Sequence, residues 1–140
     1  MAEAISLVKL EKFAACKMRD LSGGERQRVM IASAIAQEAD AILMDEPTSF
    51  LDYAHQIETM ELITRIKREK NVAMLIVTHD VNLAVKVSDR ALALSEGKVE
   101  WTGSPGDLRD SILLRSIFGV SFEQYFSKQG GCSLLAPTGT

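Results

Sequence analysis

Two short apolar runs, Ala41-Ile42-Leu43-Met44 and Val72 to Val77, are separated by a segment in which Ile57, Met60, Ile63 and Ile66 recur every third residue. The runs are too short to be helices of ordinary length and have the aliphatic content of buried strands. The segment between them carries the period of an amphipathic helix, predicted at about 53–69 with Asp52 as its cap. After the second run Asp80 can cap a further helix at 81–88. Strand, helix, strand, helix in alternation predicts an α/β fold with a parallel sheet core and flanking helices. In such sheets ligands bind beyond the carboxyl ends of the strands. Asp45 and Glu46 lie just past the first run, and His79 just past the second.

The rest of the chain frames this unit. Residues 3–13 read as a short helix, and Lys17 to Asp20 as a loop. Ser22-Gly23-Gly24-Glu25 opens another helix, with the S-x-x-E spacing of a capping box. Met30, Ile31, Ala34 and Ile35 would face the core. Ala91 to Leu94 and Lys98 to Trp101 read as a hairpin through Ser95-Glu96-Gly97. Ser104-Pro105 opens a short helix, residues 110–118 are helical, and Pro137 to Thr140 are expected to fray. Residues 1–109 form the main α/β part in this reading, and residues 110–140 a C-terminal helix and tail.

Composition narrows the function classes. With 46% hydrophobic and 25% charged residues, the chain has ordinary globular composition rather than that of a disordered segment. The net charge is −3, and the densest basic stretch, Lys67, Arg68 and Lys70, is broken by Glu69, so no nucleic-acid partner is expected. Cys16 and Cys132 form no CxxC pattern, which disfavours a metal or disulfide framework. No apolar run is long enough to span a bilayer, so work at a membrane would need other subunits.

Four short motifs carry chemistry. In Leu21-Ser22-Gly23-Gly24-Glu25-Arg26-Gln27-Arg28, glycines at a helix start expose backbone N–H groups, and the Ser22 hydroxyl adds a donor. A helix N-terminus carries about half a positive charge, which suits a phosphate. Taken alone, the same residues make an ordinary capped turn. Asp45 suits Mg²⁺ held through water, and Glu46 suits the polarising of an attacking water. Alone, the pair is merely a strand ending in solvent. His79 could donate to a phosphate as charge shifts in the transition state, or be structural. Asp52 is adequately explained as a helix cap.

The order LSGGERQR, ILMDEP, SFLD, VTHD closely resembles the ATP-binding-cassette (ABC) ATPases, from about Ala4 to Leu108. The resemblance implies the P-loop NTPase fold and the cofactors ATP and Mg²⁺. It makes Leu21 to Gln27 the signature motif, so that Ser22, Gly23, Gly24 and Gln27, together with Asp52, bind nucleotide. It makes Ala41 to Asp45 the Walker B strand with Asp45 at the metal, Glu46 the catalytic glutamate, Ser49 to Asp52 the D-loop at the dimer interface, and His79 the switch histidine. In this family two subunits sandwich ATP head to tail, each offering its signature to the nucleotide held by the other.

The pattern is incomplete. No G-x-x-x-x-G-K-[ST] occurs, so the phosphate cradle and its lysine are missing from the sequence. The chain therefore reads as the C-terminal part of an ABC ATPase domain, expected to be inactive alone and to leave strand surface uncovered. Gly103 to Leu108 and Leu113 to Val120 resemble the ending of importer ATPases for iron–siderophore complexes, haem or cobalamin. The expected partners are a second ATPase subunit and transmembrane permease subunits, at the cytoplasmic face of the cell membrane. The alternatives are a non-transport ABC ATPase acting on DNA or the ribosome, and a non-catalytic remnant.

Overall fold

The computed structural model describes residues 2–126 and 132–138, and for Cys132 and Ser133 the backbone only. The chain divides into two compact units, residues 1–78 and 79–140.

In the first unit, α1 (Ala2–Leu7) leads through two 3₁₀ turns to α2 (Gly23–Ile35), β1 (Ala41–Asp45), α3 (Tyr53–Lys70) and β2 (Ala73–Val77). The helical stretch predicted over 3–13 is interrupted after Leu7 and resumes only as a 3₁₀ turn at Glu11–Phe13, with Lys9 at φ +58° in the break. Strands β1 and β2 pair in parallel, from Ala41 opposite Ala73 to Asp45 opposite Val77. A parallel pair needs a crossover, and α3 supplies it. Asp52 caps α3, its carboxylate accepting from the His55 amide, and Asn71 ends the helix in the left-handed conformation at φ +48°.

Met60, Ile63 and Ile66 of α3 are buried, together with Thr59 and Leu62. Ile57 of the predicted stripe is exposed, because the apolar face turns with the 3.6-residue period rather than every third position. On α2 it is Ile31 and Ala32 that are buried, whereas Met30 points to solvent. Arg28 on α2 pairs with Glu58 on α3, Arg65 donates to the carbonyl of Leu7, and Lys70 pairs with Glu3. These contacts tie α3 to both preceding helices.

The strands are buried on one face, not on both as the apolar runs suggested. Ile42 and Met44 are buried, whereas Leu43 is 73% exposed and its register partner Leu75 51%. Among the described residues the sheet has two strands, and side chains alternate across it, so the face bearing Leu43, Leu75 and Val77 is exposed. Uncovered strand surface is what the sequence led one to expect.

The second unit holds α4 (Val81–Val87), the antiparallel pair β3 (Ala91–Ser95) and β4 (Lys98–Gly103), α5 (Ser111–Phe118), and the antiparallel pair β5 (Phe122–Phe126) and β6 (Cys132–Pro137). The tight turn between β3 and β4 puts Glu96 at φ +48° and Gly97 at φ +76°. That turn favours Gly because both central residues must be left-handed. Ser104 and Asp107 form a capping box on the 3₁₀ turn Pro105–Arg109. Val81, Leu108, Leu114 and Leu135 make the core, and Asn82 exchanges two hydrogen bonds with the Leu135 backbone, at 2.9 and 2.7 Å.

The end of the chain is more ordered than its mixed composition implied. Pro137 pairs with Phe122 in the β5–β6 ladder, and the Thr138 amide donates to the Ser121 carbonyl at 2.9 Å. Pairing of alternate residues, with Leu135 driven into the core, outweighs the fraying expected from Pro137 onward. Gly139 and Thr140, like the Gly130-Gly131 pair, lie outside the described residues.

Candidate functional site

The carboxyl end of β1 is zipped to that of β2. The Glu46 amide donates to the Val77 carbonyl at 2.9 Å, one residue beyond the last register pair. Asp45 is exposed there, and Glu46 is half-buried. Glu46 has φ +46°, a left-handed conformation that is costly for a residue with a Cβ. Such conformations cost about 1–3 kcal/mol and persist where the surroundings dictate them. Here Pro47 and Thr48, both buried, anchor the turn. The Ser49 amide donates to the Glu46 carbonyl at 3.1 Å, and its hydroxyl donates to the Glu46 Oε2 at 3.0 Å. Glu46 thus leaves the strand at a sharp corner with its carboxylate oriented by the residue three positions on.

The start of α2 is a full capping box. The Ser22 hydroxyl accepts from the Glu25 amide at 3.3 Å, and the Glu25 carboxylate accepts from the Ser22 amide at 2.8 Å. The hydrogen bond from the Ser22 amide, then that involving the Ser22 side chain, holds the Glu25 carboxyl below the usual glutamate range. The hydroxyl's own proton is directed to the Glu25 carboxylate in this arrangement, so a phosphate would compete for it. The Gly23 and Gly24 amides belong to the first turn, which has no intrahelical acceptors. Capping therefore leaves the Gly23 and Gly24 amides for a phosphate, whereas the Ser22 hydroxyl would have to exchange the Glu25 carboxylate for it. Gln27 lies one turn further along α2 and is half-buried.

The two glycines are not equivalent. Gly23 is exposed, and a Cβ built on it would meet only Leu51 Cδ2, at 3.9 Å. Gly24 is buried, and a Cβ there would come within 2.5 Å of His55 Cδ2 and 3.1 Å of its Cγ. The imidazole lies directly against the glycine Cα. On its other side the His55 Nδ1 sits 2.8 and 2.9 Å from the two Asp52 carboxylate oxygens. The hydrogen bond from the His55 amide, then that from its ring, lowers the Asp52 carboxyl from its usual range. Asp52 and the signature-like segment are thus brought together through His55, a residue the sequence reading passed over. Its signal was available: a histidine three residues after a capping aspartate can reach back to it.

His79 is exposed and is the first residue of the second unit, and the following Asp80 caps α4 by accepting from the Leu83 amide at 3.1 Å. A cleft of about 340 Å³ lies near the opposite end of β1, lined by Asp40, Ile42, Ile66, Lys70 and others, and includes none of the predicted site residues.

Among the described residues no group of three metal-ligating side chains occurs. A single exposed carboxylate such as Asp45 suits Mg²⁺, which keeps several waters and takes further oxygens from phosphates. The donor set at Ser22, Gly23 and Gly24 likewise fits a phosphate rather than a cation.

Comparison with known proteins bears on this geometry. Residues 1–49 match the family model described as ABC transporter. The petrobactin import ATP-binding protein of Bacillus anthracis is 41% identical over 120 residues, which are 86% of this chain and 44% of that protein. A solved structure of a metal-chelate type ABC transporter in an inward-facing conformation superposes with a TM-score of 0.88 at 30% identity, covering 97% of this chain and 55% of that one. A dimeric post-hydrolysis ATP-binding cassette bound to ADP and Pi superposes with a TM-score of 0.64 at 36% identity, over 74% of this chain and 45% of that one. The chain thus spans about half the length of the proteins it matches.

Proposed function

Since the chain belongs to the ABC transporter ATPase family, we propose that it forms part of the ATP-hydrolysing motor of an importer for a metal chelate of the iron–siderophore, haem or cobalamin kind. In this reading Ser22, Gly23 and Gly24 bind the γ-phosphate of ATP held by a second ATPase subunit, with Gln27 supporting that contact. Asp45 holds Mg²⁺ through water. Glu46 polarises the attacking water and His79 donates to the γ-phosphate, both acting on nucleotide in their own subunit. Asp52 steadies the segment at the dimer interface. The two sites of a head-to-tail pair are then related by twofold symmetry. Bound ATP and Mg²⁺ supply the leaving group and the neutralising charge; the protein's part is to position and stabilise.

The observation that carries the reading is the corner at Glu46, a left-handed residue past the end of β1 with its carboxylate held by Ser49. Support for import comes from the petrobactin relative and for the chelate class from the metal-chelate transporter; the same kinship supports transmembrane permease partners and a place at the inner membrane face. No helix among the described residues is long and apolar enough to cross a membrane.

Complementation tests this. A full-length petrobactin-type cassette whose own signature serine is changed to Arg has lost the contact that its partner's nucleotide needs. Mixed with this chain, it should recover ATP turnover at its own phosphate site, and the chain bearing Ser22→Arg should restore nothing. No recovery with the unmodified chain, despite formation of the mixed dimer, would refute the signature role.

A further inference from the structure

We propose that His55 is a positioning residue, a strut that fixes the start of α2 against the segment carrying Asp52, Ser49 and Glu46. The strut itself rests on geometry alone; its effect on turnover rests on the functional reading above. Two observations define it. The His55 ring is held by a twofold contact of Nδ1 with the Asp52 carboxylate, while the same carboxylate accepts from the His55 amide at 2.9 Å. The opposite edge of the ring occupies the space where any side chain at position 24 would begin. A carboxylate can only accept, so Nδ1 carries the proton in this arrangement.

Held at one side by two oxygens, the ring must give up that contact to swing away. Gly24 is therefore glycine for a steric reason distinct from phosphate access, which Gly23 meets more openly. Leu51 completes the contact beside Gly23. From Asp52 the chain runs back through Phe50, at φ +62°, to Ser49 and its hydrogen bond to Glu46. A shift of the α2 start on engaging phosphate would press on the ring, move Asp52, and alter the Ser49 contact that orients the Glu46 carboxylate. The same ring thus relates the group that would touch a partner's nucleotide to the group that would act on the subunit's own.

A double-mutant cycle on the 140-residue chain, read by urea midpoint, tests the strut. Gly24→Ala should lower the midpoint. His55→Ala should lower it in the unmodified chain but raise it in the Gly24→Ala background, a reversal of sign that no general loss of packing produces. If Gly24→Ala does not fold alone, folding of the double variant gives the same answer. His55→Asn, whose amide can donate to Asp52, should recover most of the loss caused by His55→Ala. In the amide spectrum, the Gly24 signal should move in His55→Ala by more than those of residues a turn further along α2. Simple additivity of the two substitutions, or an unmoved Gly24 signal, overturns the proposal. In the complementation assay, His55→Ala should lower the maximal rate at least several-fold with the KM for ATP unchanged, and His55→Asn should restore it. A normal cycle with no complementation by any variant would leave the strut standing and reject the functional reading instead.

Discussion

The hydroxyl of Ser49 donates to the Glu46 carboxylate at 3.0 Å, across a corner at which Glu46 itself is left-handed. A general base must be oriented before it is useful, and this contact costs no mobile loop. In a chimaera, residues 1–140 would follow the phosphate-loop half of a related cassette. Glu46→Gln there should lower ATP turnover by about 10²–10⁴-fold, the span of general-base catalysis, while ATP binding persists and the dimer stays closed. Gel filtration with ATP and steady-state turnover are the readouts. Ser49→Ala removes one neutral-to-charged bond and should cost only about 10-fold, corresponding to roughly 1.5 kcal/mol. Turnover unaffected by Glu46→Gln would exclude it as the base.

Ser22 serves two roles that substitutions can separate. Ser22→Ala removes the oxygen that accepts from the Glu25 amide and should cost about 1 kcal/mol of stability in urea. Ser22→Gly should cost only a few tenths, because Gly is itself a tolerated cap. Both should impair complementation, since neither offers a hydroxyl to phosphate. If Ser22→Gly complemented fully, the hydroxyl would be a cap and nothing more.

How much of this was legible in the sequence depends on the kind of interaction. Helix caps are local, and Ser22, Asp52, Asp80 and Ser104 each lie within three residues of the amides they satisfy. The strands β1 and β2 were legible as apolar runs, but one-sided burial was not, because it depends on how many strands pair. Ile57 was misplaced by counting in threes along a helix that turns every 3.6 residues, and Met30 by including it in a face that centres instead on Ile31 and Ala32. His55 was missed for a different reason. Its contact with Asp52 is local, but the close approach to Gly24 spans two helices. The β5–β6 pairing escaped too, because Phe122 to Phe126 and Cys132 to Pro137 alternate too weakly to announce a ladder.

Acid should erase the advantage of the charged caps. The Glu25 and Asp52 carboxyls both lie below their ordinary values in the folded chain, chiefly through hydrogen bonds from the Ser22 and His55 amides. A carboxyl lowered on folding stabilises fully above its unfolded pKa, about 4.3 for Glu and 3.9 for Asp. That stabilisation fades as pH falls through the lower folded value. The double variant Glu25→Gln, Asp52→Asn should therefore be less stable than the unmodified chain at pH 7. The gap in urea midpoint should narrow steadily below about pH 4.5. Both groups are solvent-exposed, so the gap at neutral pH is expected to be small. A gap constant from pH 7 to pH 3, followed by circular dichroism, would show that the charges contribute nothing.

Leu43 and Leu75 are opposite one another in register and largely exposed, next to Val77, which is 49% exposed. Exposed apolar strand surface bordered by free edges invites association. Ile63, by contrast, is 2% exposed on α3. Replacing both leucines by Gln should leave the urea midpoint nearly unchanged, since surface substitutions usually shift stability by no more than about 0.5 kcal/mol. The same change should reduce self-association, seen by light scattering across a concentration series. Ile63→Ala should do the reverse, costing about 2–5 kcal/mol through the cavity it leaves and increasing association as the chain unfolds. If the paired glutamines destabilised the chain as strongly as Ile63→Ala, the Leu43 face would have to be covered in solution, and the half-buried sheet described above would be wrong.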